Sequence, residues 1–137
     1  MRLNPVVYAL IVFATVPAGC DNSSGPDLSM CSGSVTLTFT AAPAATLSWT
    51  PNCRVDHVVV EVPLPPSIGG GSDVTWQITA RGEGEGAAAP LRYGAIPGGM
   101  EELVAAEPLV AGRFYRVRLF ASDVMVSELN FQYWPPD

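Results

Sequence analysis

Few residues in this sequence could carry out chemistry, because it contains one histidine and three cysteines. The histidine, His57, follows Asp56, and neighbouring residues on a strand point to opposite faces, so this pair does not begin a catalytic triad. Cys20, Cys31 and Cys53 stand far apart and do not match the ligand spacing of a zinc site. We therefore predict no metal, no cofactor and no enzymatic activity. A small hydrolase that uses His57 is the less favoured alternative.

Two glycine-rich stretches are candidates for ion-binding loops. Glu83 and Glu85 lie in GEGEG, residues 82–86, but two carboxylates are few for calcium, which takes about six to eight oxygen ligands. The glycines at 69–71 do not follow the strand-to-helix turn of a phosphate-binding loop. Both stretches are therefore predicted to be solvated connections between strands.

The alternating stretch FYRVRLFA, residues 114–121, predicts the most useful surface. If Tyr115, Val117 and Leu119 point into a core, the residues between them point outward, beside outward residues of the neighbouring strands. We call this surface the outer face, and it comprises His57, Glu61, Phe114, Arg116, Arg118, Phe120 and Trp134. Aromatic and arginine side chains are frequent in recognition surfaces, so the outer face suits a protein or glycan partner.

Two alternatives to this interpretation remain open. Arg116 and Arg118 could instead form ordinary cross-strand ion pairs with Glu61 and Glu128, each contributing a few tenths of a kcal/mol. A partner could also bind to the loops at residues 63–73 and 82–100, since β-sandwiches commonly bind through loops.

Length and charge restrict the class of protein. The chain has 137 residues, enough for one domain of ordinary size. Its net charge is −6, and all seven basic residues are arginines. Because no stretch concentrates positive charge, the chain is poorly suited to neutralising phosphates, and no nucleic-acid partner is expected.

The elements that must hold these residues are short strands separated by turns rich in glycine and proline, with 13 of each. Alternating or β-branched stretches predict strands at residues 34–40, 46–49, 58–62, 74–80, 114–121 and 129–134. Residues 91–96 are a candidate for a short strand, and residues 100–106 for a strand or a helical turn. No segment after residue 20 shows sustained helical periodicity. The sequence therefore predicts an all-β sandwich of about seven strands.

Two stretches resemble fibronectin type III and immunoglobulin-like domains. LSWTP, residues 47–51, resembles the second strand of a fibronectin type III domain, with its buried tryptophan and following proline. LVAGRFYRVRLFA, residues 109–121, resembles the family pattern L-x-x-G-x-x-Y-x-V-x-V. The resemblance implies a single immunoglobulin-like sandwich at residues 33–137. It also implies that the Tyr115 hydroxyl bonds to upstream backbone in a tyrosine corner.

The N-terminal segment has the pattern of a secretory signal peptide. Arg2 precedes an apolar run at residues 6–16, which is too short for a membrane span of about 20 residues. The stretch VPAGC, residues 16–20, resembles the lipobox of bacterial lipoproteins. That resemblance implies a signal peptide at residues 1–19, acylation of Cys20 and a lipidated flexible tether at residues 20–32. A buried first helix or strand is the alternative.

Lipidation of Cys20 leaves Cys31 and Cys53 as a pair, and hairpin geometry supports a disulfide between them. The predicted strands at 34–40 and 46–49 flank an AAPAA turn, which brings the start of the first strand beside the end of the second. In an oxidising compartment, closing this loop would stabilise the fold by roughly 3 kcal/mol. Two free thiols are the alternative.

Taken together, these patterns predict an exported lipoprotein of the cell envelope, held to a membrane by its N-terminal lipid. Its expected role is to bind an envelope protein or a glycan without catalysis. A structural or assembly subunit of an envelope complex is the alternative.

Overall fold

The computed structural model describes residues 28–137. The predicted signal peptide at 1–19, the lipidation site Cys20 and the first part of the predicted tether lie outside the described residues.

The described chain folds into eight β-strands and one 3-10 helix, Pro66–Ile68. The strands are β1 Thr36–Thr40, β2 Thr46–Thr50, β3 His57–Pro63, β4 Ser72–Ala80, β5 Leu91–Arg92, β6 Met100–Val104, β7 Phe114–Ala121 and β8 Val124–Gln132.

The strands form two antiparallel sheets. The smaller sheet has the order β1-β2-β5, and the larger has the order β6-β4-β3-β7-β8. The predicted all-β sandwich is thus confirmed, with eight strands where about seven were expected. The short β5 joins the small sheet, whereas β6 returns to the outer edge of β4 in the large sheet.

Alternation along each strand builds the core, because every second residue points between the two sheets. The buried residues include Leu37, Leu47, Trp49, Val58, Val60, Trp76, Ile78, Tyr115, Val117 and Leu119. The Trp49 indole nitrogen donates a hydrogen bond to the Cys53 carbonyl at 2.8 Å, so this polar group is satisfied inside the core.

The last strand begins five residues earlier than the sequence predicted, at Val124 instead of residue 129. Ser122 and Asp123 have φ values of 50° and 64°, and they form the two-residue turn of a tight hairpin between β7 and β8. Turns of this kind favour asparagine, aspartate or glycine, so only Asp123 signals the turn in the sequence.

Residues ahead of the predicted domain boundary are bound to the sandwich. Cys31 forms a disulfide with Cys53, with a Cα–Cα distance of 4.9 Å, as the hairpin geometry predicted. The backbone of Arg54 bonds to Cys31 and to Ser29, and its Nε donates to the Leu28 carbonyl at 2.6 Å. The structured part of the chain therefore begins before residue 33, where the sequence analysis places the domain start.

Tyr115 forms the hydrogen bond that the resemblance implies. Its side chain is buried, and its hydroxyl accepts a hydrogen bond from the Val110 backbone N–H at 2.8 Å. This contact ties the β6–β7 connection to the start of β7, the strand that carries most of the outer face.

Tyr115→Phe is expected to lower the free energy of unfolding by about 1 kcal/mol, because it removes the acceptor of the Val110 N–H and leaves the ring in place. Tyr133→Phe is the matched control, since the Tyr133 hydroxyl makes no hydrogen bond within residues 28–137. Urea unfolding of both variants measures the difference. Equal costs for the two substitutions would argue against a stabilising role for the Tyr115 bond.

Candidate functional site

The outer face lies on the solvent side of the large sheet, and strand register positions its members. On β3 and β7, His57 lies opposite Phe120 and Glu61 lies opposite Arg116. Arg118 lies opposite Val59 on the same pair of strands. Because Tyr115, Val117 and Leu119 are buried on the other side of β7, the intervening side chains are directed outward, as predicted.

Glu61 is the centre of this arrangement, and its side chain is 0% exposed. Arg116 Nε donates a hydrogen bond to Glu61 Oε1 at 2.8 Å, and Arg118 Nη2 donates to Oε2 at 3.1 Å. The Ser72 hydroxyl also donates to Oε2. Both carboxylate oxygens are therefore occupied, which makes a buried charge tolerable on a sheet face.

The charge state of Glu61 follows from this environment. Burial acts to raise the pKa of Glu61, but the hydrogen bonds from Ser72 and Arg116 and the charges of Arg118 and Arg116 outweigh it. The net effect holds the pKa of Glu61 below its ordinary value. Glu61 is consequently ionised at neutral pH and keeps both guanidinium groups in place.

The arginines pair mainly with Glu61, one of the two carboxylates that the ion-pair alternative named. Arg116 Nε lies 3.9 Å from Glu128 Oε1, at the outer limit of an ion pair. The side chains of Arg116 and Arg118 are 29% and 34% exposed, so most of each stem is packed while part of each side chain meets solvent.

One end of the outer face combines His57 with Phe120. The two rings lie 5.4 Å apart, and the Arg118 guanidinium carbon lies 5.8 Å from the centre of the Phe120 ring. Gln77 Nε2 lies 2.7 Å from His57 Nε2, where the amide donates to the ring nitrogen. Burial lowers the pKa of His57, and Arg118 lowers it further against the opposing charges of Asp56 and Asp123, so the neutral ring that this bond requires is favoured.

The other end of the outer face exposes two aromatic side chains. Phe114 begins β7 and is 62% exposed, and Trp134 follows β8 and is 59% exposed. The Trp134 ring lies against Gly112, two residues before Phe114, and a Cβ at that glycine would meet the ring at 3.4 Å. The structure thus brings His57, Glu61, Arg116, Arg118 and Phe120 into one connected group, with Phe114 and Trp134 at its far end.

No protein-family model, curated protein or solved structure matches this chain. The site must therefore be interpreted from its own geometry.

An open cleft of about 760 Å³ adjoins the His57 end of the outer face. It is lined by Met30, Asp56, His57, Thr79, Ala80, Gly82, Glu83, Gly84, Glu85, Phe120, Ser122 and Asp123. The Asp56 carboxylate accepts a hydrogen bond from the Ser122 backbone N–H at 2.9 Å, so it supports the β7–β8 turn. Within residues 28–137, no group of three or more metal-binding side chains is placed to hold an ion.

The outer face presents groups of the kind found in recognition surfaces. A partner surface can bind to the hydrogen-bond donors of two arginines, to amide groups on β4 and β8, and to exposed aromatic rings. Helical structure among the described residues is limited to one short turn, and none of it has the length and apolar character of a membrane span.

Sequence reasoning missed Ser72 and Gln77, which hold Glu61 and His57 respectively. Both lie on β4, which is joined to β3 by a connection containing proline and glycine. A β-bulge between Val60 and Glu61 shifts the β3–β4 register. No local sequence signal marks that bulge, so the partners of Glu61 on β4 could not be assigned beforehand.

Proposed function

We propose that this protein is a lipid-anchored binding module of the cell envelope that acts without catalysis. The observation that carries the proposal is the outer face, where a buried Glu61 orders two arginines between aromatic groups. A surface whose charged groups are already oriented loses less conformational entropy when a partner binds.

Composition also favours binding at this face. Tyrosine, tryptophan and arginine are enriched among residues that dominate binding energy, and phenylalanine is enriched in interfaces. Phe114 and Trp134 leave more than half of their surface exposed, although the other two tryptophans, Trp49 and Trp76, are 3% and 0% exposed. Exposed aromatic side chains at one end of a sheet face offer a partner apolar surface to cover.

The anchor in this proposal is Cys20, supported by the lipobox resemblance at residues 16–20. The proposed tether runs from Cys20 toward Leu28, whose carbonyl is bound to the sandwich. A flexible segment of eight residues has a root-mean-square reach of roughly 16 Å. The outer face would therefore act close to the membrane surface, and a multiply acylated cysteine would hold it there.

The test measures whether the protein is in the membrane fraction and whether its outer face captures a partner. Cys20→Ser is expected to move the protein from the membrane fraction to the soluble fraction, because the lipid provides the anchor. In envelopes, a photo-crosslinker placed at residue 132 is expected to capture a partner, and Phe114→Ala with Trp134→Ala is expected to weaken that capture about tenfold or more. Ile68→Ala, at a residue that is 67% exposed on the β3–β4 connection, is the matched control.

Two results would count against the proposal. Retention of the acylated Cys20→Ser protein in membranes would contradict the anchor. Capture that is equally strong in the Phe114, Trp134 and Ile68 variants would contradict binding through the outer face.

An assembly subunit is the second candidate, and β8 favours it. This nine-residue strand is an edge of the large sheet, and Val126 accepts a backbone bond from Val35 on its free side. The remaining free edge could accept a strand from a partner. One stoichiometric protein in the crosslinked product would favour assembly, whereas a glycan would favour the binding module.

A further inference from the structure

We propose that the outer face binds a glycan that carries carboxylate groups, with Arg116 and Arg118 as its anion-binding residues. This inference rests on the proposed binding function and specifies the chemistry of its ligand. It begins from the hydrogen-bonding capacity that Glu61 leaves unused on the two arginines.

Each guanidinium offers five N–H donors in a planar fork. Arg116 bonds to Glu61 through Nε, and no hydrogen bond within residues 28–137 uses either of its terminal nitrogens. Arg118 bonds to Glu61 through Nη2, which leaves Nη1 without a partner among the same residues. Because both side chains are partly exposed, these N–H groups can donate to a carboxylate from solution with the geometry that arginine favours.

The charges on the outer face favour binding of an anion, although the chain as a whole carries a negative net charge. Glu61 offsets one of the two arginine charges and is 0% exposed, so a ligand cannot contact it, and the other charge meets solvent beside Glu128, which lies opposite Arg118 on β8. Glu128 is the remaining nearby carboxylate, and its 3.9 Å separation from Arg116 Nε is too long for a hydrogen bond. A ligand carboxylate that bonds directly to Arg116 can therefore displace the weaker contact with Glu128.

The position of the arginines favours a glycan over an acidic peptide. Both lie on β7, an interior strand whose two edges are already paired with β3 and β8. A peptide therefore cannot extend the sheet at this site by backbone pairing. A sugar chain needs no such pairing, since it can rest its apolar ring faces on aromatic side chains and direct its hydroxyls toward amides.

The surrounding side chains supply those contacts. Asn130 lies opposite Arg116, and Gln132 lies opposite Phe114, which places exposed amides beside the arginines and the first aromatic ring. From Phe114 to Phe120 the face extends about 20 Å, which is enough for several sugar rings in a row.

The experiment compares polygalacturonate oligomers with their methyl esters, using the full-length chain in detergent and its tryptophan fluorescence, to which the exposed Trp134 contributes. The two probes share one backbone and differ in the carboxylate charge. We expect the acid to bind at least about tenfold more tightly than the ester, and Arg116→Lys to remove most of that preference because lysine lacks the bidentate fork. Arg92→Lys, on β5 of the other sheet, should leave the preference for the acid over the ester unchanged.

Glu128→Gln provides a test that does not risk the fold, because Glu128 is 38% exposed and makes only the long contact with Arg116. Removing this competing charge should tighten binding of the acid severalfold and leave binding of the ester unchanged. Equal affinity for acid and ester, or no effect of Glu128→Gln, would overturn the carboxylate assignment. Arginine-dependent binding of polyglutamate without binding of the glycan acid would replace the glycan with an acidic protein.

The outcomes also separate this inference from the proposed function. If polygalacturonate fails to bind while Phe114 and Trp134 still determine capture in envelopes, the ligand class is wrong and the binding module stands. If capture also loses its dependence on those aromatic residues, both proposals are wrong.

Discussion

Replacing Arg116 and Arg118 together by alanine is expected to lower the free energy of unfolding at pH 7 by about 3–5 kcal/mol. The double variant removes both guanidinium groups that cover the Glu61 carboxylate and leaves the Ser72 hydroxyl as its remaining side-chain partner. Each lost hydrogen bond to a charged group contributes about 1.5–3 kcal/mol, and the packing of both arginine stems is lost as well.

The pH dependence of this effect has a definite sign. In the wild type the pKa of Glu61 is below its ordinary value, so its stabilising contribution is present above the unfolded pKa of about 4.3 and is lost as pH falls through the folded pKa. In the double variant the arginines no longer lower the pKa of Glu61, so this pKa returns toward the unfolded value. Acidification then costs the variant little through Glu61, and the difference in stability between the two proteins should narrow as the pH falls below about 4.

Urea unfolding between neutral and acidic pH measures both effects. Arg92→Ala is the matched control, since Arg92 is exposed on β5 and forms no ion pair within the described residues; it should change stability by less than about 0.5 kcal/mol. Adding Glu61→Gln to the double variant should change the free energy of unfolding little at pH 7, because both charged partners of the carboxylate are already absent. A double variant as stable as Arg92→Ala would show that the Glu61 network contributes nothing.

The disulfide gives the second large effect. Replacing Cys31 and Cys53 by alanine is expected to lower the free energy of unfolding by roughly 3 kcal/mol, because the bond closes a loop with a sequence separation of 22. Both cysteines are buried, so each alanine also loses a small amount of packing.

Single and double variants identify the pairing. Cys31→Ala, Cys53→Ala and the double variant should show similar losses, since breaking the bond once removes its constraint. A reductant should lower the free energy of unfolding of the wild type to that of the double variant. It should not change the free energy of unfolding of the double variant. Cys20→Ala is the matched control and should unfold like the wild type. Additive losses from the two single variants would indicate that the cysteines stabilise the fold separately.

The sandwich was predictable wherever alternation and burial coincide. Residues 114–121 predicted β7 with the bounds that the structure shows, and Trp49 and Tyr115 occupy the buried positions that the family resemblance implies. The start of β8 was missed because Val124 and Met125 are apolar but 62% and 48% exposed, so this stretch lacks the alternation of a half-buried strand.

The burial of Glu61 could not be predicted from local sequence patterns. In the run VVVEV a glutamate at an outward position is expected to be solvated. Its burial depends on arginines 55 and 57 residues away, on Ser72, and on a bulge that moves the β3–β4 register. Long-range register and side-chain packing decide such a site, and neither is encoded in the local alternation.

The attachment of the first described residues has a mechanical consequence for a tethered protein. Tension applied from the N-terminal side would reach the sandwich at Leu28–Cys31 and pass through the disulfide to Cys53. Because β1 and β2 lie between the two cysteines along the chain, a covalent bond would carry the load past the hairpin. The β1–β2 hydrogen bonds would then be shielded from the load, and residues 31–53 could not be extended as long as the bond stays oxidised.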